Sequence, residues 1–197
     1  QALRLDPPRS VAGRHTGLVS QCKQWAVTCR RRVHGPLIPS MLRTLQETEL
    51  QTAQDFRYAM MDECGMTCHL LPDWRERTAE IYADMYRRGE GMHVGWVEDG
   101  RVVGTAGAMI RTDFPFNTLK GGCYGWIMDV YVQPEWRGRG IARRVTQSAL
   151  DWLRARDVAI IKLVASDQAM ALGLYERMGF QRTNDMRFVP TAAPGCA

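Results

Sequence analysis

The stretch Gln133-Pro134-Glu135-Trp136-Arg137-Gly138-Arg139-Gly140-Ile141-Ala142 joins two glycines and two arginines to the start of an apolar-periodic segment. Gly138 and Gly140 permit a tight turn and let an anion approach the backbone. Where such a turn opens a helix, successive N–H groups face the anion, with the helix dipole behind them. Arg137, Arg139, Arg143 and Arg144 fall within two turns of that helix end. Together these residues suit a pyrophosphate. The alternative is a glycine-rich turn that only connects a strand to a helix. The stretch is not a Walker loop, which needs Gly-Lys-Ser/Thr. It is not the GxGxxG dinucleotide fingerprint either, because position 143 is Arg143.

Other reactive residue types are scattered. The six cysteines are Cys22, Cys29, Cys64, Cys68, Cys123 and Cys196. None forms a CxxC pair, and Cys64-x3-Cys68-His69, the nearest approach to a metal cluster, lacks zinc-site spacing. No metal is expected. Scattered thiols in a chain of this length suggest a reducing cytosol, hence a cytoplasmic protein. His69 and His93 read as ordinary loop and strand residues.

The elements that must position the turn alternate along the chain. A short strand over Leu42–Leu45 precedes a helix over about Thr48–Cys64, with Leu50, Ala53, Phe56, Met60 and Cys64 on one stripe. A second helix begins at Asp73, where Asp73 and Glu76 have capping-box spacing. Strands over Met92–Val97 and Val102–Ile110 flank Asp99-Gly100, a hairpin signal. A polar loop over Arg111–Gly122 leads to a strand over Cys123–Val132. The helix after the glycine turn runs from about Gly138 to Arg156. The apolar run Val158–Val164 reads as a strand buried on both faces. A helix over Asp167–Met178 follows, with Asp167 as a possible N-cap, and two short strands, Phe180–Arg182 and Asp185–Val189, finish the pattern. The order β-α-α-β-β-β-α-β-α-β-β implies a mixed α/β fold with a β-α-β crossover in its middle.

Composition sets limits. The chain has 197 residues, 45% of them apolar, enough for a real core. No apolar run approaches the roughly 18 residues that cross a bilayer, so no membrane partner is expected. The net charge of +5 belongs to residues 1–40, which hold seven basic residues and one acidic residue. Residues 1–40 read as a flexible basic extension, 41–190 as the folded domain and 191–197 as a tail. Met41 is a plausible natural start. A nucleic-acid partner is not expected: residues 41–197 are near neutral overall, such binding would need a basic face on the folded part, and the alternative route is through the basic residues 1–40.

The motifs resemble those of the GNAT superfamily of acetyl-CoA-dependent N-acetyltransferases. Its phosphate motif, Gln/Arg-x-x-Gly-x-Gly/Ala, is matched by Arg137-Gly138-Arg139-Gly140-Ile141-Ala142. Asp129-Val130-Tyr131-Val132-Gln133-Pro134 resembles the family's fourth strand, and Tyr175-Glu176-Arg177-Met178-Gly179-Phe180 resembles its Tyr-x-x-x-Gly-Phe ending. The resemblance spans about residues 41–190.

The resemblance implies a central, mostly antiparallel mixed sheet flanked by helices, and acetyl-CoA as co-substrate. It implies that backbone groups of Val130, Tyr131 and Val132, on a splayed strand, hold the pantetheine. Gly138, Arg139, Gly140, Ile141 and Ala142 would hold the pyrophosphate, with Arg137 and Arg143 beside them. Tyr175 would protonate the leaving thiolate, its alternative being a core aromatic. An amine would attack the thioester directly, which leaves Cys123 no role as a nucleophile. For the base, Asp129 ranks first. Its alternatives are pairing with an arginine or serving as a groove wall. Asp62, Glu63 and a water relay are other candidates. The family's asparagine after the fifth strand is replaced by Ser166-Asp167-Gln168, which leaves that cofactor contact without a match. The acceptor is expected to be a small or protein amine, with Asp62, Glu63 and Asp113 favouring a cationic one. Pairing through edge strands, as in some relatives, would give a homodimer. A non-catalytic acyl-CoA sensor is the competing function.

Overall fold

Five strands organise the described part of the chain into one sheet, in the order β1-β2-β3-β4-β5. The computed structural model describes residues 40–115, 119–165 and 171–183. The strands are β1 (Met41–Thr44), β2 (Gly91–Glu98), β3 (Arg101–Thr112), β4 (Cys123–Val132) and β5 (Ile161–Lys162). Neighbours are antiparallel except β4 and β5, which are parallel. The helices are α1 (Leu50–Glu63), α2 (Trp74–Arg87), α3 (Ile141–Arg154) and α4 (Leu172–Arg177). The mixed, mostly antiparallel architecture is the one expected.

Helices cover both faces of the sheet, which is why β2 is buried along nearly its whole length. On one face, Val145, Ala149 and Leu153 of α3 pack against Val94, Ala106 and Ile127. Each fully buried Val, Leu or Ile side chain contributes about 1.5–3 kcal/mol, so the apolar stripe of α3 is a main support of the sheet. On the other face, Leu50 and Ala53 of α1 meet Tyr82 and Met85 of α2, with Met109 and Met128 beneath them. The β2–β3 hairpin closes through Asp99 and Gly100, both with positive φ (48° and 75°), as a tight primed turn requires.

Several boundaries differ from the sequence reading. The Asp73–Glu76 capping box does not form, and the Asp73 carboxylate instead accepts from Arg77 Nε at 2.7 Å. Helix α3 begins at Ile141 rather than Gly138, because Gly138 and Gly140 both adopt φ 76°, outside the helical region. The expected strand over 158–164 pairs only at Ile161 and Lys162, and both are half-buried. Residues 180–182 are irregular rather than extended. The expected strand over 185–189, the Asp167 cap and the basic extension lie outside the described residues.

Candidate active site

The strands β3 and β4 fall out of step near their middles. Thr105 faces Tyr131 while Gly107 faces Met128. Asp129 and Val130 therefore stand together opposite Ala106, which makes a β-bulge. Asp129 adopts left-handed backbone, φ 53°, a region that Asp tolerates better than most residues. Its carbonyl accepts from Thr105 Oγ1 at 3.0 Å. Beyond Trp126 the β4–β5 ladder ends, and the two chains part. A cleft of about 590 Å³ opens there, between Ile127–Val130 and Leu163–Ala165, with Tyr175 of α4 at its side.

The Asp129 side chain is fully buried beneath this bulge. Arg57 of α1 donates to its Oδ1 at 2.5 Å. Tyr82 of α2 donates to Oδ2 at 2.5 Å, and His93 Nε2 lies 3.1 Å from the same oxygen. The Tyr86 hydroxyl accepts the His93 backbone N–H at 2.7 Å and stands 3.4 Å from His93 Nδ1. The tautomer with its proton on Nε2 therefore satisfies both ring nitrogens. Burial pushes the Asp129 carboxyl up, but the His93 hydrogen bond, the Arg57 charge and the Tyr82 hydroxyl outweigh it and hold it at about 2. Burial, then the adjacent carboxylate, pushes the Tyr82 phenol far above its ordinary value. The expectation that Asp129 takes the acceptor's proton does not fit these surroundings. Both oxygens are committed, and a carboxylate held so low is a poor base. The arginine pairing, weighed as an alternative, is what the structure shows.

The glycine turn lies at the opposite end of the bulged segment. Gly140 is the N-cap of α3 and brings no side chain to its first N–H groups. Those groups have no intrahelical partner. A Cβ built at Gly138 or Gly140 would meet nothing within 4 Å. Both glycines are thus required by backbone angle, and both face open space. This is a fitting cradle for a pyrophosphate, with Arg143 on the first turn of the helix. Arg137 behaves differently. It donates to the Val132 carbonyl at 2.8 Å and to both oxygens of Glu63 at 2.7 and 2.8 Å. It ties the end of α1 to the turn, and it occupies the Val132 carbonyl. Arg139 lies over the Trp136 ring, 4.5 Å from its centroid.

The remaining expected residues are distributed around this centre. Tyr175 is buried, lines the cleft, and burial raises its phenol to about 12. Val130 lines the cleft as well. The Tyr131 ring packs against Phe56 at 5.4 Å, and its hydroxyl donates to Glu63 at 2.9 Å. Glu63 is therefore engaged by two partners. Neither Asp62 nor Glu63 nor Asp113 lines the cleft, so the basis for a cationic acceptor is not found there. Sequence alone singles out neither Arg57 nor Tyr86, and it presents His93 as a plain strand residue. The available signal was a His and an Asp inside otherwise apolar strands. Among the described residues, no group of three or more His, Cys, Asp and Glu is placed to hold a metal, and no helix is long and apolar enough to cross a membrane.

The acetyltransferase (GNAT) family model matches residues 54–180, more than half of the chain. The chain belongs to this family. The match runs from α1 through the bulge and the glycine turn to the end of α4. Among curated GNAT relatives, glucosamine 6-phosphate N-acetyltransferase of Trypanosoma brucei brucei is 32% identical over 82 residues, 42% of this chain and 52% of the relative. The chain thus matches about half the length of that protein. Aminoglycoside N(6')-acetyltransferase type 1 of Stenotrophomonas maltophilia is 27% identical over 117 residues, 58% of this chain and 74% of the relative. A GCN5-related N-acetyltransferase structure from Ralstonia eutropha JMP134 superposes with TM-score 0.70 at 24% identity, covering 78% of this chain and all of that one. A predicted acetyltransferase with acetyl-CoA from Clostridium acetobutylicum gives 0.67 at 21%, covering 77% and 96%. These likenesses support the fold described above.

Proposed function

We propose that this protein transfers the acetyl group of acetyl-CoA to a primary amine by direct attack within a ternary complex. The reading is carried by one juxtaposition. A bulge in β4 opens the sheet into a cleft, and a short turn after the same strand leads to Gly138 and Gly140, which face open space at the start of α3. An elongated ligand with a pyrophosphate at one end and an acyl thioester at the other fits that layout. Family membership and the acetyl-transferring relatives support it.

Each residue then has a task. The amides following Gly138 hold the pyrophosphate, and Arg143 adds charge beside it. Backbone groups at Val130, freed by the bulge, bind the pantetheine and orient the thioester carbonyl. The amine nitrogen attacks the carbonyl carbon, the C–S bond breaks, and the thiolate departs. Tyr175 remains protonated at neutral pH, because its phenol is raised to about 12. It gives its proton to the departing sulfur, whose own proton affinity rises in the same apolar cleft. The amine's proton leaves through water. Asp129 acts as a positioning residue: it holds the bulge open through Arg57, Tyr82 and His93.

Thermal unfolding against acetyl-CoA tests the reading, with CoA and ATP as controls. A ligand at 100 times its Kd stabilises by about 2.7 kcal/mol, and for a chain of this size that raises Tm by roughly 5–10 °C. Both CoA forms should produce the shift and ATP should not. Absence of a shift with acetyl-CoA removes the reading. A shift without thiol release from any amine leaves a cofactor sensor instead.

A further inference from the structure

The apolar stripe of α1 changes its role halfway along the helix. Leu50, Ala53 and Phe56 are buried in the core. The same stripe continues through Arg57, Met60, Met61 and Cys64, and all four line the cleft and are only half-buried. Spacings of three, four and seven residues put them on one face. Across from them stand Trp126 and Met128 of β4, also lining the cleft. Thioethers and an indole thus line one cleft. The cleft's charges cancel: Arg57 and Asp129 are paired with each other, and no other charged residue lines it among those described.

We propose that the acceptor is a primary amine carried on an apolar body, such as an alkyl or arylalkyl amine, rather than a polycation or a sugar phosphate. This rests on the acetyl-transfer reading above. Methionine-rich walls suit an apolar ligand of adaptable shape. A polyamine or aminoglycoside would bring several charges into a cleft that offers them no free carboxylate, and burying an unpaired charge is costly. A phosphate would find one guanidinium already committed to Asp129.

The test uses the full chain and measures kcat/KM by thiol release for butylamine, hexylamine, phenethylamine, spermidine and glucosamine 6-phosphate. Acetyl-CoA binding is followed separately through the rise in Tm. Burial of each added methylene favours binding by roughly three- to fourfold, so hexylamine should exceed butylamine by about tenfold. Both hexylamine and phenethylamine should exceed spermidine and the sugar phosphate by more than that. Met60→Glu should narrow or reverse the preference between hexylamine and spermidine, while the acetyl-CoA shift in Tm persists. If acetyl-CoA binds and spermidine or the sugar phosphate matches hexylamine, the inference is overturned and the acetyl-transfer reading stands. If hexanoyl-CoA outperforms acetyl-CoA and amine length has no effect, the apolar wall holds the acyl chain and the inference is likewise overturned. If acetyl-CoA binds but calorimetry detects neither apolar amine in the presence of CoA, it also fails. If acetyl-CoA itself does not bind, the acetyl-transfer reading fails first.

Discussion

Replacing Asp129 by Asn keeps the shape of the side chain and removes its charge. Asn tolerates left-handed backbone as Asp does, so the φ of 53° adds little strain. The amide has one acceptor oxygen where the carboxylate had two. His93 can shift its proton to Nδ1 and accept at Nε2, and the Tyr82 hydroxyl can rotate, which relieves part of the conflict. Arg57 cannot adapt, because a guanidinium has no neutral form. Removing one member of a buried pair costs about 3–5 kcal/mol. The Arg57 side chain is 35% exposed, so water replaces part of the lost contact, and about 3 kcal/mol is expected. That corresponds to a fall in Tm of roughly 6–12 °C for a chain of this size.

The pH dependence has a definite sign. The folded carboxyl is held at about 2, below its value of 3.8 in an unperturbed chain. Its contribution is therefore complete above about pH 4 and is lost as the pH falls toward 2. The shift corresponds to about 2 kcal/mol, of which roughly half should remain at pH 3. Thermal unfolding of wild type and Asp129→Asn at pH 7 and pH 3 reads both effects: the gap in Tm should shrink at the lower pH. A variant within about 1 °C of wild type at pH 7, or a gap that does not change with pH, would refute the account of the network.

Other perturbations separate the parts of the site. Gly140→Ala places a side chain at φ 76°, a strain of about 1–2 kcal/mol, and puts a methyl into the open cradle; the Kd for acetyl-CoA, read by calorimetry, should rise more than the modest loss in Tm explains. Tyr175→Phe should lower kcat by about 10²-fold or more with a smaller change in KM for acetyl-CoA, and the wild-type rate should show no loss from Tyr175 ionisation below about pH 11, since its phenol is raised to about 12. In Gly107→Ala the new Cβ would lie 2.9 Å from His93 Nε2 and from Met128 Cγ, so Tm should drop by an amount equivalent to about 1–3 kcal/mol. Glu63→Gln breaks a partly exposed pairing with Arg137 and should cost under about 1 kcal/mol, with an unchanged pH–rate profile; loss of the low-pH limb, where the rate falls as a base is protonated, would instead make Glu63 the base.

What was legible in the chain follows from what a local pattern can encode. Strand β4 has the bounds its apolar run implied, Cys123–Val132, and the Asp99-Gly100 signal marks a real hairpin. The glycine turn was legible because backbone freedom is written in residue type. The bulge was not, because one additional residue in β4 shows only against the register of β3. Its consequence was hidden too: the run over 158–164 has the composition of a buried strand, but β4 leaves it after two pairs. Asp129 is picked out by residue type, but its pairing is not legible locally, since its three donors come from α1, α2 and β2, 72, 47 and 36 residues away in sequence. The single stripe of α1 was legible, but nothing in its spacing separates the half buried in the core from the half that lines the cleft.

Initial rates of thiol release, measured over a grid of acetyl-CoA and amine concentrations, test the central claim most directly. Direct attack in a ternary complex predicts saturation by both substrates and double-reciprocal lines that intersect. Parallel lines, with acetyl retained on the protein before any amine is added, would mark a covalent intermediate and contradict the account.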